Sequence, residues 1–322
     1  MTPLVSVCIC SYNHEKYIEY CIESIFSQDY RNVEILVIDD GSTDGSLNLL
    51  NDLKSKSPFP MTVLSQKNSG FIGKNFNKLF SMAKGKYVSI ISSDDALLSD
   101  AISKKVKIME DDSRVQFVIN SQIRHIDNQN NIIGDEYMPL NDYKEPLAQD
   151  ILNLDFKNVH SYYLQGSLFR KSLIDAIGGY DESMLAEDIV LRTKISHYMI
   201  QNPQLSFVLL HEIDCLYRRH NSNVSTNHYR QVKSVAMYFD KYWENESVSK
   251  SFDSEIRAAT KDHPFKMFLL SIEYSSLKVY MKYIIRFIFK YVLQKIFSSK
   301  NSSNGTHKII TILGIKIKTK KL

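Results

Sequence analysis

No glycine-rich phosphate loop occurs in the 322 residues: GxGxxG and GxxxxGK[ST] are both absent, which argues against dinucleotide-binding and P-loop readings. Cysteine is scarce. Cys8, Cys10, Cys21 and Cys215 show neither CxxC pairing nor secreted spacing, so no disulfide scaffold or zinc site is expected. Cys8 and Cys10 sit in an apolar run and read as core residues of a reducing cytoplasm. No stretch of about 18 apolar residues is free of charge, which disfavours a spanning helix. No signal peptide precedes residues 1–7, which already read as strand.

What is present is 43% apolar and 24% charged residues, the balance of a globular chain long enough for a sizeable core. The net charge of +4 conceals two unlike parts. Residues 264–322 carry 12 Lys/Arg against the single acid Glu273, a net +11. The other 263 residues hold 28 basic and 35 acidic groups, a net −7. Such asymmetry points to an anionic partner for the tail, nucleic acid or a membrane surface.

The first hundred residues alternate apolar β-rich runs with helical spacing. Strands are expected at 4–10, 33–38, 61–64 and 87–91, with helices at 14–28, 46–54 and 73–83. Strands that repeatedly give way to helices imply a mostly parallel sheet with right-handed crossovers. Farther on, helices are expected at 101–111, 171–177 (stopped by Gly178-Gly179), 187–197, 229–242 and 254–259, and strands at 117–120 and 167–170. The Asn/Asp-rich segment 127–135 reads as a polar loop.

In open α/β sheets ligands bind at the carboxyl ends of strands, and two acidic clusters fall there: Asp39-Asp40 and Asp94-Asp95. Alone, Asp-Asp-Gly-Ser is no more than a turn. Two such clusters in one α/β unit instead suggest carboxylates that ligate a divalent cation bridging a diphosphate, or that accept hydrogen bonds from a base or ribose. Without a phosphate loop, a diphosphate needs a metal and scattered basic groups. Lys74 and Arg218-Arg219-His220 are the candidates.

In chain order these elements carry a set of short motifs. They are Pro3-Leu4-Val5-Ser6-Val7 with Ser11-Tyr12-Asn13, Ser24-Ile25-Phe26-Ser27-Gln28, and Glu34 through Asp44. There follow Asn68-Ser69-Gly70, Ala83-Lys84-Gly85-Lys86-Tyr87 and Asp94-Asp95. The later half adds Gly166-Ser167-Leu168-Phe169-Arg170, Gly178-Gly179-Tyr180-Asp181-Glu182, Glu187-Asp188 and Tyr217-Arg218-Arg219-His220. Over residues 3–225 the chain thereby resembles the family 2 glycosyltransferases, in their non-processive, bacterial surface-polysaccharide form. The resemblance implies a GT-A fold: α/β, a mostly parallel central sheet flanked by helices with a Rossmann-like nucleotide-binding half. Here a basic helical C-terminal extension is added.

The implied organisation is a nucleotide-sugar half at 1–98, an acceptor and catalytic half at 99–225, helical support at 226–263 and the basic extension at 264–322. By position, the resemblance implies that Asp40 bonds the uracil, with Tyr12 beside the base. Asp94 would touch the ribose, while Asp95 and His220 would hold Mn²⁺ or Mg²⁺. Arg218 and Lys74 would contact the nucleotide-sugar, and Asp188 would be the catalytic base. Two positions depart from the family pattern: Ser92 stands where an Asp is frequent, and Lys74 replaces an Arg, keeping the charge without the bidentate fork. A QxxRW-type motif of processive synthases is missing.

The implied activity is inverting transfer of one sugar from a UDP-sugar to a glycan hydroxyl. The implied acceptor is a lipid-linked oligosaccharide in O-antigen or capsule assembly, at the inner face of the cell membrane. Competing readings are a nucleotidyltransferase on a similar α/β domain and a membrane adaptor with an inactive site. Asp188 has a plain alternative as a first-turn acid favoured by the helix dipole, and Arg170 reads equally as an ion-pair partner or a site residue. In the tail, residues 277–297 show helical spacing with Lys278, Lys282, Arg286 and Lys290 as one cationic stripe. That is the pattern of an interfacial helix on anionic lipid, or of a helix packed on the domain with its lysines solvated. Nucleic acid is not expected, because no reader motif accompanies the charge. Residues 298–305 read as a linker, and 308–318 as a short hairpin.

Overall fold

The computed structural model describes residues 2–157, 161–185, 187–220, 223, 226–244, 246–301, 307–312 and 315–320, with side chains through residue 291 except that of residue 187. Two compact units are present, Met1–Thr226 and Asn227–Leu322.

The first unit opens with β1 (Val5–Ser11), α1 (Ile18–Phe26), β2 (Val33–Asp39), α2 (Ser46–Lys56), β3 (Met61–Ser65), α3 (Ile72–Met82) and β4 (Tyr87–Ser92). It continues through β5 (Ala96–Leu97), α4 (Ala101–Asp111), β6 (Val115–Asn120), β7 (Gln122–Ile126), β8 (Ile132–Tyr137) and α5 (Ala148–Lys157). It ends with β9 (Leu168–Arg170), α6 (Lys171–Ile177), α7 (Glu187–Gln201), β10 (Ser206–Leu210) and β11 (Cys215–Arg218). Seven strands form the central sheet in the order β10-β6-β9-β4-β1-β2-β3. Neighbours pair in parallel except that β9 runs antiparallel to both β4 and β6. A second sheet has the order β5-β11-β7-β8.

Side chains alternate across a strand, and both faces of the central sheet are covered. Val5, Val7, Ile9 and Ile35 pack with Ile22 of α1, Leu50 of α2 and Val106 of α4. On the other face Cys8, Leu36, Ile38 and Ile90 meet Phe76 and Phe80 of α3, Leu173 of α6 and Ile195 of α7. Burial on both faces explains why these strands read as continuous apolar runs.

At the amino ends of the strands, the Lys84-Gly85-Lys86 motif has a packing cause. Ser6 Oγ donates to Glu34 Oε1 at 2.5 Å, the Lys84 amide donates to the same oxygen at 2.7 Å, and the Gly85 amide donates to Ser6 Oγ at 2.9 Å. A Cβ on Gly85 would lie 2.6 Å from the Tyr87 carbonyl oxygen, so only glycine fits. Arg170 is a structural pin at this end of the sheet: its guanidinium donates to the carbonyls of Val115 (2.7 Å) and Met109.

One buried ion pair went unread in the sequence. Lys105 of α4 and Asp214, just before β11, are fully buried and paired, and Lys105 Nζ also donates to the Gly166 carbonyl at 2.8 Å. Lys105→Met is expected to lower the unfolding free energy by about 3–5 kcal/mol, because it strands the Asp214 charge in the interior. A urea titration that moves the midpoint without changing the slope would check this.

Several expectations are corrected. The loop expected at 127–135 instead runs into strand β8, and α5, β10 and β11 occupy stretches left unassigned. The first helix begins at Ile18, leaving His14 in a turn after Asn13, whose φ is 53°.

In the second unit α8 (His228–Tyr242), α9 (Asp253–Asp262), α10 (Pro264–Glu273) and α11 (Met281–Ile296) pack together. Asp240 caps the turn before α11, accepting from the amides of Ser275 and Ser276 at 2.8 Å each. Residues 277–280 of the expected long helix lie in a 3-10 turn, Ser275–Tyr280. Strands β12 (Phe297–Asn301), β13 (His307–Ile312) and β14 (Ile315–Lys320) form an antiparallel sheet, so the hairpin is present. The expected linker is partly strand β12, and its residues 302–305 lie outside the described residues. No helix among the described residues is long and apolar enough to cross a membrane.

Candidate active site

The loops after β1, β2 and β4 meet at the carboxyl edge of the parallel strands. Hydrogen bonds lace the first two together. The Asp40 amide donates to the Ser11 carbonyl (2.8 Å), the Asn13 amide to Ser42 Oγ (2.9 Å) and the Thr43 amide to Asn13 Oδ1 (2.8 Å). Gly41 permits the turn: its φ is 77°, and a Cβ there would stand 2.7 Å from the Asn68 amide nitrogen.

Asp40 is buried in a polar cradle. One carboxylate oxygen accepts from Gln66 Nε2 and the Ser69 amide at 2.9 Å each, and the other from Ser69 Oγ at 3.0 Å. Gln66 Nε2 also donates to Asn75 Oδ1 at 2.7 Å. The Asn68-Ser69-Gly70 motif thus serves the Asp40 carboxylate. Tyr12, one residue past β1, is 45% exposed at this edge. Lys74 lines a depression of about 410 Å³ with Gln66, Asn75, Lys78 and Glu182. Among the described residues no hydrogen bond or ion pair joins Lys74 to the acids after β4.

Those acids form the densest cluster. His220 Nε2 lies 3.0 Å from one oxygen of Asp94, and His14 Nδ1 lies 3.9 Å from the other. One donor atom from each of His14, Asp94 and His220 falls within 4.8 Å of the others. Ser93 Oγ is 2.7 Å from His14 Nδ1, and the Tyr17 ring stacks on His220 at 4.7 Å. Burial lowers the His14 pKa, favouring the neutral imidazole that can ligate a metal. Burial alone would raise Asp94, but the hydrogen bond with His220 and the nearby His14 hold it below its ordinary value.

Asp95 behaves oppositely. It is buried, with Oδ1 accepting the Arg218 amide at 2.9 Å and Oδ2 buried without a hydrogen-bond partner. Burial, then the Asp94 charge, push its carboxyl well above the usual range. Two adjacent buried carboxylates, one with an orphaned oxygen, beside two imidazoles are a donor set that fits a divalent cation. The sequence paired His220 with Asp95; the structure sets it against Asp94 and adds His14. A helix expected over 14–28 hides that histidine, although its place just past the first strand is a signal.

Arg218, which the resemblance sets at the nucleotide-sugar, is held inside the fold. It is fully buried, and Nε donates to the Asp94 carbonyl at 2.8 Å while Nη1 donates to the Asp127 carbonyl. Its guanidinium lies 4.9 Å from the Tyr17 ring centroid and 5.4 Å from that of Tyr20. It therefore clamps the acid loop between the two sheets, with only Nη2 left unbonded.

Asp188 stands in the first turn of α7, partly buried. Burial raises its pKa, and Arg192, one turn along, pulls it back. Arg192 is itself anchored, with Nε bonding both oxygens of buried Asp155 (3.1 and 3.2 Å) and Nη1 donating to the Tyr162 carbonyl at 2.7 Å. Asp155 and Arg192 were missed in the sequence, where neither lies in a recognisable motif.

Comparison with known proteins places this arrangement. An uncharacterized glycosyltransferase of Haemophilus influenzae is 36% identical over 149 residues, 46% of each chain. A chondroitin synthase of Escherichia coli is 36% identical over 135 residues, 42% of this chain and 19% of that protein. The chain thus spans less than half the length of these curated relatives. Among solved structures, Staphylococcus aureus TarS 1–349 in complex with UDP-GlcNAc superposes with a TM-score of 0.54 at 15% identity, covering 99% of both chains. The mannosyltransferase PcManGT of Pyrobaculum calidifontis, in complex with GDP-Man and Mn²⁺, gives 0.54 at 15% identity over 91% of this chain and 87% of that one. These similarities establish the GT-A fold. Residues 6–178 match the model of glycosyl transferase family 2, and the chain belongs to that family.

Proposed function

We propose that the chain transfers one glycosyl unit from a uridine diphosphate sugar to a hydroxyl of a glycan acceptor, with inversion at the anomeric carbon. The observation that carries this reading is the convergence of Asp40, Asp94, Asp95 and His220 with His14 at one edge of the parallel strands. Nucleotide-sugars in the structural neighbours TarS and PcManGT support a nucleotide-sugar donor here.

In this reading Asp40 and Tyr12 receive the base, and Lys74 lies near the Asp40 cradle through Asn75 and Gln66. His14, Asp94 and His220 would hold the divalent cation, and Asp95, next in the chain, would add its free oxygen. When bound, that ion supplies Lewis-acid charge compensation for the departing diphosphate. Two imidazoles in the set favour Mn²⁺ over Mg²⁺, which prefers oxygen ligands. Asp188 takes the proton of the acceptor hydroxyl as its oxygen bonds the anomeric carbon and the bond to the diphosphate oxygen breaks. The resemblance and the basic second unit support a lipid-linked acceptor in surface-polysaccharide assembly, at the inner face of the cell membrane.

The test is nucleoside diphosphate release from a panel of UDP-sugars by chain stripped with a chelator. Turnover should be restored by Mn²⁺ at lower concentration than by Mg²⁺. Equal turnover in chelator would overturn the metal assignment, and turnover only of a guanosine donor would overturn the base assignment.

A further inference from the structure

In the second unit α10 buries Met267 and Leu270 but leaves Phe265, Leu269 and Ile272 each more than half exposed. At about 100° per residue these three share one face of the helix. On α11, Ile284 is buried while Ile285 and Phe289 are exposed, the latter at 67%. Lys282, Arg286 and Lys290 are exposed as well and fall within the same arc of that helix. Val279 and Lys278, in the turn between the helices, are also exposed. Of thirteen large apolar side chains exposed among the described residues, six lie between 265 and 289. Single exposed apolar groups are ordinary; a run of them interleaved with cations marks a binding surface.

We propose that α10 and α11 form a monotopic docking surface for an anionic lipid bilayer. Phe265, Leu269, Ile272, Ile285 and Phe289 enter the boundary of the acyl region while the cations meet lipid phosphates. Charge decides the occupant. Residues 264–322 hold 12 basic groups against Glu273 alone, so a second copy would set like charge against like. A nucleic acid would leave Leu269 and Ile272 in water. A bilayer satisfies both halves of the surface.

Co-sedimentation of the full chain with vesicles tests this independently of donor binding, so failure here leaves the active-site reading intact. The chain should pellet with phosphatidylcholine vesicles containing phosphatidylglycerol and stay in solution with phosphatidylcholine alone, and added salt should weaken binding. Leu269→Ser with Phe289→Ser should lower partitioning by roughly tenfold or more, and Lys282→Glu with Arg286→Glu should do the same. All four side chains are exposed, so circular dichroism should match the parent and separate lost binding from lost fold. No binding to the anionic vesicles, binding indifferent to phosphatidylglycerol, or binding unchanged in both variants would overturn the proposal. A dimer in light scattering that Leu269→Ser abolishes would overturn it too, assigning the surface to a second copy.

Discussion

Asp188→Asn is expected to lower glycosyl transfer by about 10²–10⁴-fold, the usual contribution of a positioned base, while UDP affinity measured by calorimetry stays unchanged. The amide keeps the shape of the side chain but cannot take the acceptor proton. The raised pKa of Asp188 adds a pH signature. Because burial disfavours its charged form, kcat/KM should climb with pH through a midpoint above the ordinary carboxylate value of about 4. Below that midpoint the base is protonated and idle. Loss of UDP binding in the variant would move Asp188 into the donor site, and unchanged turnover would remove it from the reaction.

The second large effect concerns the acids after β4. Asp94→Asn is expected to weaken Mn²⁺ binding and to cut metal-dependent transfer by at least about 100-fold, since Asp94 sits between His220 and His14. Asp95→Asn should be milder in metal affinity, because His14, Asp94 and His220 all keep their ligand atoms. Mn²⁺ affinities of the two variants, measured side by side, decide between the arrangements. If Asp95→Asn loses the metal and Asp94→Asn keeps it, His220 pairs with Asp95 at the ion and Asp94 is not a ligand.

Much of the first hundred residues is legible because its physics is local. Apolar runs of one length, helical spacing and Asp-Asp turns at strand ends all lie within a few residues of one another. Asp40, Asp94 and Asp95 stand out for that reason, and His220 through the motif that carries the family resemblance. The misses are long-range. Lys105 and Asp214 meet across 109 positions of chain, and Asp155 and Arg192 across 37, so no window of sequence contains either pair. His14 was hidden by a helical pattern that the αL turn at Asn13 interrupts. The burial of Arg218 beside Tyr17 and Tyr20 is likewise set by residues distant in the chain. In the second unit, the sequence singled out the cationic stripe but not α10, whose apolar residues alone do not reveal which side stays in water.

Strand β9 is the one reversed member of the central sheet, and its direction decides which neighbouring loop can evolve. In β4, β1 and β2, which are parallel to one another, the segment that follows the strand reaches the edge that carries the acids. In β9 it is the segment that precedes it: the Gly166 amide bonds the Ile90 carbonyl, and Gln165 Oε1 accepts the Ser92 amide at 2.8 Å. Length changes ahead of β9 therefore reshape the rim around the acids while Arg170 keeps the opposite end anchored. Changes there leave β1 to β3 and the cradle around Asp40 in place, so the rim and the cradle can be altered separately.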